Sequence, residues 1–390
     1  MSNEDVPDTE RLLGFWNLTG HPPVHGASRG PCLQVIQTDT FSYHRVERPE
    51  DELPADPRFL DIAVLDMNHG WHNLGHDAVV QHLFHMTGEV VAPLASADLA
   101  VRVFSYDVRR SLVVPKPGRF QLLIGTGGPG HLDPRMNDGL SEGSQGIRED
   151  PAWEPRLFAL FDAIRASESA ALLSVCHTFG VMCRWLGAAD AVLRGPEKGG
   201  KSAGVVENIL TDAALAHPWF SRFSEVLPDR RRLFALDNRL YDLVPRGPLP
   251  AGVTAISYEA LGKGGPAGDA LTMMEVARDD AGVMPRIFGV NHHPEIVNRA
   301  RLLVTLERQF ERGDVTREWY EERRKTLTEP VADTWGDRLI HLTSSYTFMA
   351  PLRFHLYKQA RLRGDALGRP LPVDEAMLPL TYSIEGVGTT

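Results

Sequence analysis

Cysteine is scarce in this sequence, and the three present, Cys32, Cys176 and Cys183, follow no framework spacing. An odd, low count argues against a disulfide scaffold. Long apolar runs are missing as well: no stretch approaches the ~18 consecutive apolar residues that a membrane span needs. The opening MSNEDVPDTE is acidic and polar and does not read as a secretory signal. Positive charge is not in excess. With 51 acidic and 41 basic residues the formal net charge is −10, so neither nucleic acid nor an anionic membrane is an expected partner. The basic stretches RRSLVVPKPGR and PDRRRLF are short, broken by apolar residues, and read as solvated faces. A phosphate loop is absent too: GPEKGGKSAG holds Gly-Gly-Lys-Ser without the leading glycine at P-loop spacing. The expected compartment is the cytoplasm, where a reduced, reactive cysteine persists.

What is present suits a large core: 390 residues, 43% hydrophobic and 24% charged. Residues 1–59 read as a polar, proline-containing extension whose one apolar run, CLQVIQT, is a candidate edge strand. The texture changes near residue 60. DIAVLDM, AVRVFSYDV, FQLLIG and ALLSVC read as short buried strands. PRLFALFDAIRASES carries a helical stripe, and FGVMCRWLG reads as the helix behind ALLSVC. Strand, loop, helix, strand is the pattern of an α/β fold with a parallel sheet, in which working residues collect at the carboxyl ends of strands. Further strands are expected in KSAGVVENIL, RRLFALDNRLYDLVP, GVTAISYEAL, ALTMMEVARDD and RIFGV. Residues 297–327 read as two charged amphipathic helices broken near Gly313, and APLRFHLYKQARLRG as a later helix. These elements divide into an N-terminal extension (1–59), a main α/β domain (60–300) and a C-terminal helical extension (301–390).

Three strand ends carry chemistry. GTGGPG follows FQLLI, Cys176 closes ALLSV ahead of a helix, and NHHPE follows RIFGV. A thiol at a helix amino terminus is biased towards thiolate. A histidine from another strand end could take its proton, and a carboxylate two residues on could orient that imidazole. A glycine turn leaves backbone N–H groups open towards a developing oxyanion.

At these residues the chain resembles the class I (triad-type) glutamine amidotransferase superfamily, over roughly residues 60–300. FGVNHHPE matches its histidine-bearing signature at Gly289, Val290, His293, Pro294 and Glu295, GTGGPG resembles its oxyanion loop, and AVLDMNHGWHNLG its first strand and turn. The resemblance implies a three-layer, flavodoxin-like α/β sandwich around a mostly parallel sheet. It implies Cys176 as nucleophile, His293 as base and Glu295 as the group that orients it. Gly127, Gly128 and the N–H of His177 would form the oxyanion hole. The implied chemistry is attack on a carboxamide, γ-glutamyl or other acyl carbonyl through a thioester, with no cofactor and no metal.

The elbow departs from the family pattern: Ser174, Thr178 and Gly180 stand where the family has Gly, Gly and Gln. Asn291-His292 replaces Gln-Phe. These changes turn the expectation towards a nonstandard small-molecule amide or acyl substrate. Thr178, His69 and His292 are its candidate contacts. A cysteine-dependent acyltransferase and a catalytically silent amidotransferase-like binding or regulatory module are the alternatives. No synthetase domain fits into 1–59 or 301–390, so released ammonia would need a separate synthetase or acceptor protein. A homo-oligomer stays open. Cys183, inside the helix, reads as core. His69, His72, His76, His82 and His85 place five of the fifteen histidines in seventeen residues, without a ligand motif that includes Glu or Cys.

Overall fold

Short strands that are apolar on both faces need cover on both faces, and the computed structural model shows how this chain supplies it. It describes residues 38–71, 73–90, 99–198, 200–297, 299–311, 313, 315–328 and 334–371. The strands are β1 (Phe41–Val46), β2 (Phe59–Asp66), β3 (Ala100–Asp107), β4 (Leu122–Gly125), β5 (Ala171–Val175), β6 (Asp190–Leu193), β7 (Ser202–Leu210), β8 (Arg232–Arg239), β9 (Tyr241–Val244), β10 (Thr254–Ala260), β11 (Ala267–Arg278) and β12 (Pro285–Val290). The main helices are α1 (Leu74–Val90), α2 (Glu154–Ala166), α3 (His177–Leu186), α4 (Phe220–Val226), α5 (Arg299–Glu311), α6 (Arg317–Thr328), α7 (Thr334–Ser344) and α8 (Ala350–Ala366).

Ten strands form one sheet in the order β1-β3-β2-β4-β5-β12-β11-β10-β7-β8. The run from β1 to β12 is parallel throughout. From β12 to β8 the sheet continues antiparallel. β6 and β9 make a separate antiparallel pair. Side chains alternate between the two faces as a pleated strand requires. Ile62 and Val64 of β2 share a core with Val79 and Leu83 of α1, Phe220 and Phe223 of α4, and Leu352 and Leu356 of α8. Ala63 and Leu65 face the other way, into a core with Leu157 and Phe161 of α2 and Phe179 and Val181 of α3. Helix, sheet, helix is therefore the layering, and the fold is a three-layer α/β sandwich. A smaller cluster joins Leu302 and Leu306 of α5, Leu327 of α6 and Ile340 of α7 to Leu74, Leu236 and Ile296.

Packing runs across the expected domain boundaries. β1, from the segment read as an extension, is the edge strand of the main sheet, paired with β3 from Phe41↔Val101 to Val46↔Tyr106. Most of the apolar run CLQVIQT lies outside the described residues. At the other end, His355 of α8 donates through Nε2 to the Pro285 carbonyl at 2.7 Å. Leu352 and Leu356 are fully buried against the sheet. Between α7 and α8 the helix widens into a π-helical turn, Ser345–Met349.

Candidate active site

β2 hands the chain to β3 on one side, while β4 lies on its other side. The strand order reverses there, and in open α/β sheets that opens a crevice at the carboxyl ends. The residues after β2 and β4 meet at this crevice: Met67 N–H donates to Thr126 Oγ1 at 3.1 Å.

One strand further on, β5 ends at Cys176. Its backbone sits at φ 48°, ψ −102°. Positive φ is costly for a residue with a side chain and collects at functional sites. Two hydrogen bonds hold the residue there. Its N–H donates to the Val290 carbonyl of β12 at 2.7 Å, and its carbonyl accepts from Gly180 N–H of α3 at 3.0 Å. As the cap of α3, the thiol stands where the helix dipole favours negative charge. It is 8% exposed.

Parallel pairing of β12 with β5, through Gly289↔Ser174 and Val290↔Val175, brings the next residues of β12 alongside Cys176. His293 donates its backbone N–H to the Leu236 carbonyl of β8 at 2.7 Å. Its ring Nδ1 lies 2.7 Å from Glu295 Oε1. The Cys176 side chain acts on the same ring, and with Nδ1 committed to Glu295, Nε2 is the nitrogen left for the thiol. Burial would lower the His293 pKa, but the Glu295 carboxylate and the Cys176 sulfur outweigh it and hold the imidazole well above its usual range. Cys176, His293 and Glu295 are thus brought together in line.

Glu295 is itself gripped by α1. A Cβ on Gly75 would fall 2.3 Å from Glu295 Oε1, so the carboxylate rests on the first turn of that helix. There the helix dipole favours an anion. Asn73 caps the turn, its Oδ1 accepting from Gly75 N–H at 2.7 Å and His76 N–H at 3.1 Å. Two turns further along, His82 Nε2 lies 2.8 Å from the Glu295 carbonyl oxygen.

The loop GTGGPG closes over the thiol. A Cβ on Gly127 would stand 2.9 Å from His293 Cε1 and 3.8 Å from Cys176 Sγ. A Cβ on Gly128 would overlap the Met67 carbonyl at 2.1 Å. Only glycine fits both places. His177 is the first residue of α3, so its N–H has no partner within the helix. Its ring meets the Gly128 backbone, while Nε2 is buried without a hydrogen-bond partner among the described residues. Burial, with Arg109 nearby, pushes the His177 pKa well below the usual value, so the ring is neutral.

Above these groups lies a cavity of about 160 Å³. Cys176, His177, His293 and Gly128 line it, with Asn68, Trp71, Gln145 and Asn291. Lys201, Asp237, Asn238, Arg239 and Tyr241, together with Glu322, Arg323 and Leu327 of α6, complete the wall. Three expected substrate contacts are placed elsewhere. Thr178 is fully buried, its Oγ1 donating to the Thr126 carbonyl at 2.7 Å. Its methyl occupies the space where Gly125 has no Cβ. His292 points to the opposite face, with Nε2 3.4 Å from Thr347 Oγ1, and burial drives its pKa down to about 3. His69 is half-buried beside Arg109 and Arg110 and is not among the lining residues.

The remaining histidines of that cluster diverge. His76 bridges Asp77 and Ser105, His82 reaches Glu295, and His72, like Cys32, lies outside the described residues. Cys183 is fully buried, and burial alone raises its pKa. Sequence reasoning missed Asp237 and Arg239 on β8 and the contribution of Lys201 and α6. LDNRLYD had offered a signal, charged residues inside an otherwise apolar strand, that went unused.

No protein-family model and no curated protein sequence matches the chain. Among solved structures it is similar to a glutamine amidotransferase from Thermotoga maritima, 16% identical with a TM-score of 0.42, over 73% of this chain and 96% of that one. It is also similar to a glutamine amidotransferase from Methylobacillus flagellatus, 13% identical with a TM-score of 0.42, over 77% of this chain and 95% of that one. These are likenesses of fold alone. No described helix is long and apolar enough to cross a membrane.

Proposed function

We propose that the chain is an amidotransferase-like cysteine enzyme that cleaves or transfers the acyl group of a carboxamide or γ-glutamyl-type substrate. One observation carries the reading: a cysteine at a positive-φ elbow shares the wall of a cavity with a histidine whose Nδ1 is 2.7 Å from a buried glutamate.

The raised pKa of His293 makes the imidazole a strong base for the thiol proton. Cys176 Sγ attacks the carbonyl carbon, forming a C–S bond and pushing the π electrons onto oxygen. The N–H of His177 and the Gly127–Gly128 turn are the groups available to that oxyanion. His293 Nε2 then gives its proton to the leaving amine, the C–N bond breaks, and a thioester remains. Water or another acceptor, deprotonated by His293, attacks the thioester and returns the thiolate. Glu295 keeps the imidazole in one tautomer and one orientation throughout.

The test is chemical. Incubation with glutamine should release ammonia, the electrophilic analogue 6-diazo-5-oxonorleucine should alkylate Cys176 with loss of N2 and leave a 5-oxonorleucyl thioether on its peptide, and Cys176→Ala should abolish both. Labelling by acyl thioesters with no ammonia would redirect the reading to acyl transfer. Failure of every electrophile to label Cys176 faster than a free thiol in solution would overturn it.

A further inference from the structure

Buried polar atoms in a folded protein nearly always have partners, so those without one call for an explanation. Among the described residues, such atoms include four on the wall of this cavity: His177 Nε2, Asp237 Oδ1, Asn238 Oδ1 and Asn291 Nδ2. Asp237 is the charged member. It is fully buried at the carboxyl end of β8, one residue after the carbonyl that holds the His293 backbone. Its Oδ2 is fully engaged, accepting from Ser202 Oγ at 2.5 Å and from Arg239 Nη1 at 2.6 Å. Its Oδ1 is not engaged.

The neighbouring ions do not complete this carboxylate. Arg239 is its salt-bridge partner, and that guanidinium also serves Asp242, at 3.2 Å, and Glu259. Arg194 and Lys198 answer Asp242, and Arg194 also answers Glu259. Across the cavity, Lys201 pairs with Glu322, and so does Arg323 at 3.0 Å. One shared guanidinium pairs directly with Asp237, the His293 imidazolium acts on it only through space, burial still pushes its pKa up, and among the described residues no cation meets its second oxygen. A buried carboxylate in that state gains most from a ligand that brings both an N–H donor and a positive charge.

We propose that Asp237 is a subsite for a cationic amine: the acyl compound that reacts at Cys176 carries a protonated amine that donates to Asp237 Oδ1. The proposal rests on Cys176 being the nucleophile. It adds a requirement that the thiol alone would not impose, since neutral and anionic acyl compounds of the same size would leave Oδ1 buried and unmatched.

Alkylation of Cys176 reads the subsite without knowledge of the natural substrate. N-(2-aminoethyl)chloroacetamide carries an ammonium, N-propylchloroacetamide is its neutral isostere, and N-chloroacetylglycine is anionic. Rates at the Cys176 peptide, followed by mass and divided by the rate of each probe with glutathione, should rank cation above neutral above anion. A charge-assisted hydrogen bond of ordinary strength gives a cation-to-neutral ratio of about tenfold or more. In Asp237→Asn that ratio should fall to about one, with labelling by the neutral probe showing that the elbow is still formed. Equal normalised rates in the wild-type protein, or a preference that survives Asp237→Asn, would overturn the subsite while leaving the nucleophile in place. No labelling of Cys176 by any of the three probes in the wild-type protein would overturn both.

Discussion

A methyl group on Gly75 would stand 2.3 Å from Glu295 Oε1 and 2.9 Å from Asn73 Oδ1. Neither atom can yield without loss, because one orients His293 and the other caps α1. Gly75→Ala is therefore expected to push the carboxylate off the imidazole. Loss of a charge-assisted hydrogen bond slows Cys176 alkylation or turnover by about 10- to 100-fold. Circular dichroism should show the helices intact, and an unchanged rate would sink the idea. Gly180 raises the converse question, since the resembled family has glutamine there. A Cβ at 180 would fall 2.4 Å from Leu132 Cδ1, inside the buried loop after GTGGPG. Gly180→Gln should therefore not improve glutamine handling. It should destabilise the chain by about 1–3 kcal/mol through overpacking, measured by urea unfolding. These residues show where the sequence was legible. Cys176, His293 and Glu295 stood out because each ends a strand in a motif with fixed spacing. Thr178 misled because its fit against Gly125 depends on two strand ends 53 residues apart, which no local pattern reveals.

Elements were more legible than their assembly. Alternation of strand and helix was visible along most of the chain, but pairing was not. The antiparallel half of the sheet, from β12 to β8, consists of strands that look locally like the parallel ones. RRLFALDNRLYDLVP reads as one strand, yet it breaks at Leu240 into β8 and β9, which belong to different sheets. The π-helical turn was hidden as well, and it yields a prediction. In that turn Ala350 N–H donates to the Ser345 carbonyl, five residues back. The next donor in the series would be residue 351, which is proline and has no N–H. The Tyr346 carbonyl accepts from Trp219 Nε1 at 2.9 Å. Trp219→Phe removes that hydrogen bond and should cost about 0.5–1.5 kcal/mol, besides the packing it loses. Pro351→Ala restores a donor, so the double variant should lose less than the sum of the two changes. Additive losses in a chemical-denaturation cycle would refute this account of the turn.

At the scale of the whole molecule, segments that looked like additions are core. β1 closes one edge of the sheet and α8 covers one face, because half of each strand's apolar surface faces a layer that residues 60–300 do not fill alone. That burial gives the molecule opposing pH limbs. His292 and His355 are buried between α7–α8 and the sheet, and burial pushes their pKa values down to about 3 and about 4. Below the ordinary value of 6.5 the unfolded chain protonates these rings while the folded one does not. The unfolded state then binds more protons, and stability falls as pH drops from 6.5 towards those folded values. His293 acts in the other direction. Its folded pKa is raised, so its contribution is complete below 6.5 and is lost as pH rises through the raised value. Melting temperature plotted against pH should pass through a maximum, with an acid limb made shallower by His355→Gln and an alkaline limb made shallower by His293→Gln. His355→Gln keeps an amide donor in reach of the Pro285 carbonyl, so the variant tests the proton and not the hydrogen bond. If His355→Gln left the acid limb as steep as before, that histidine would not be buried neutral, and α8 would not be packed against β12 as described.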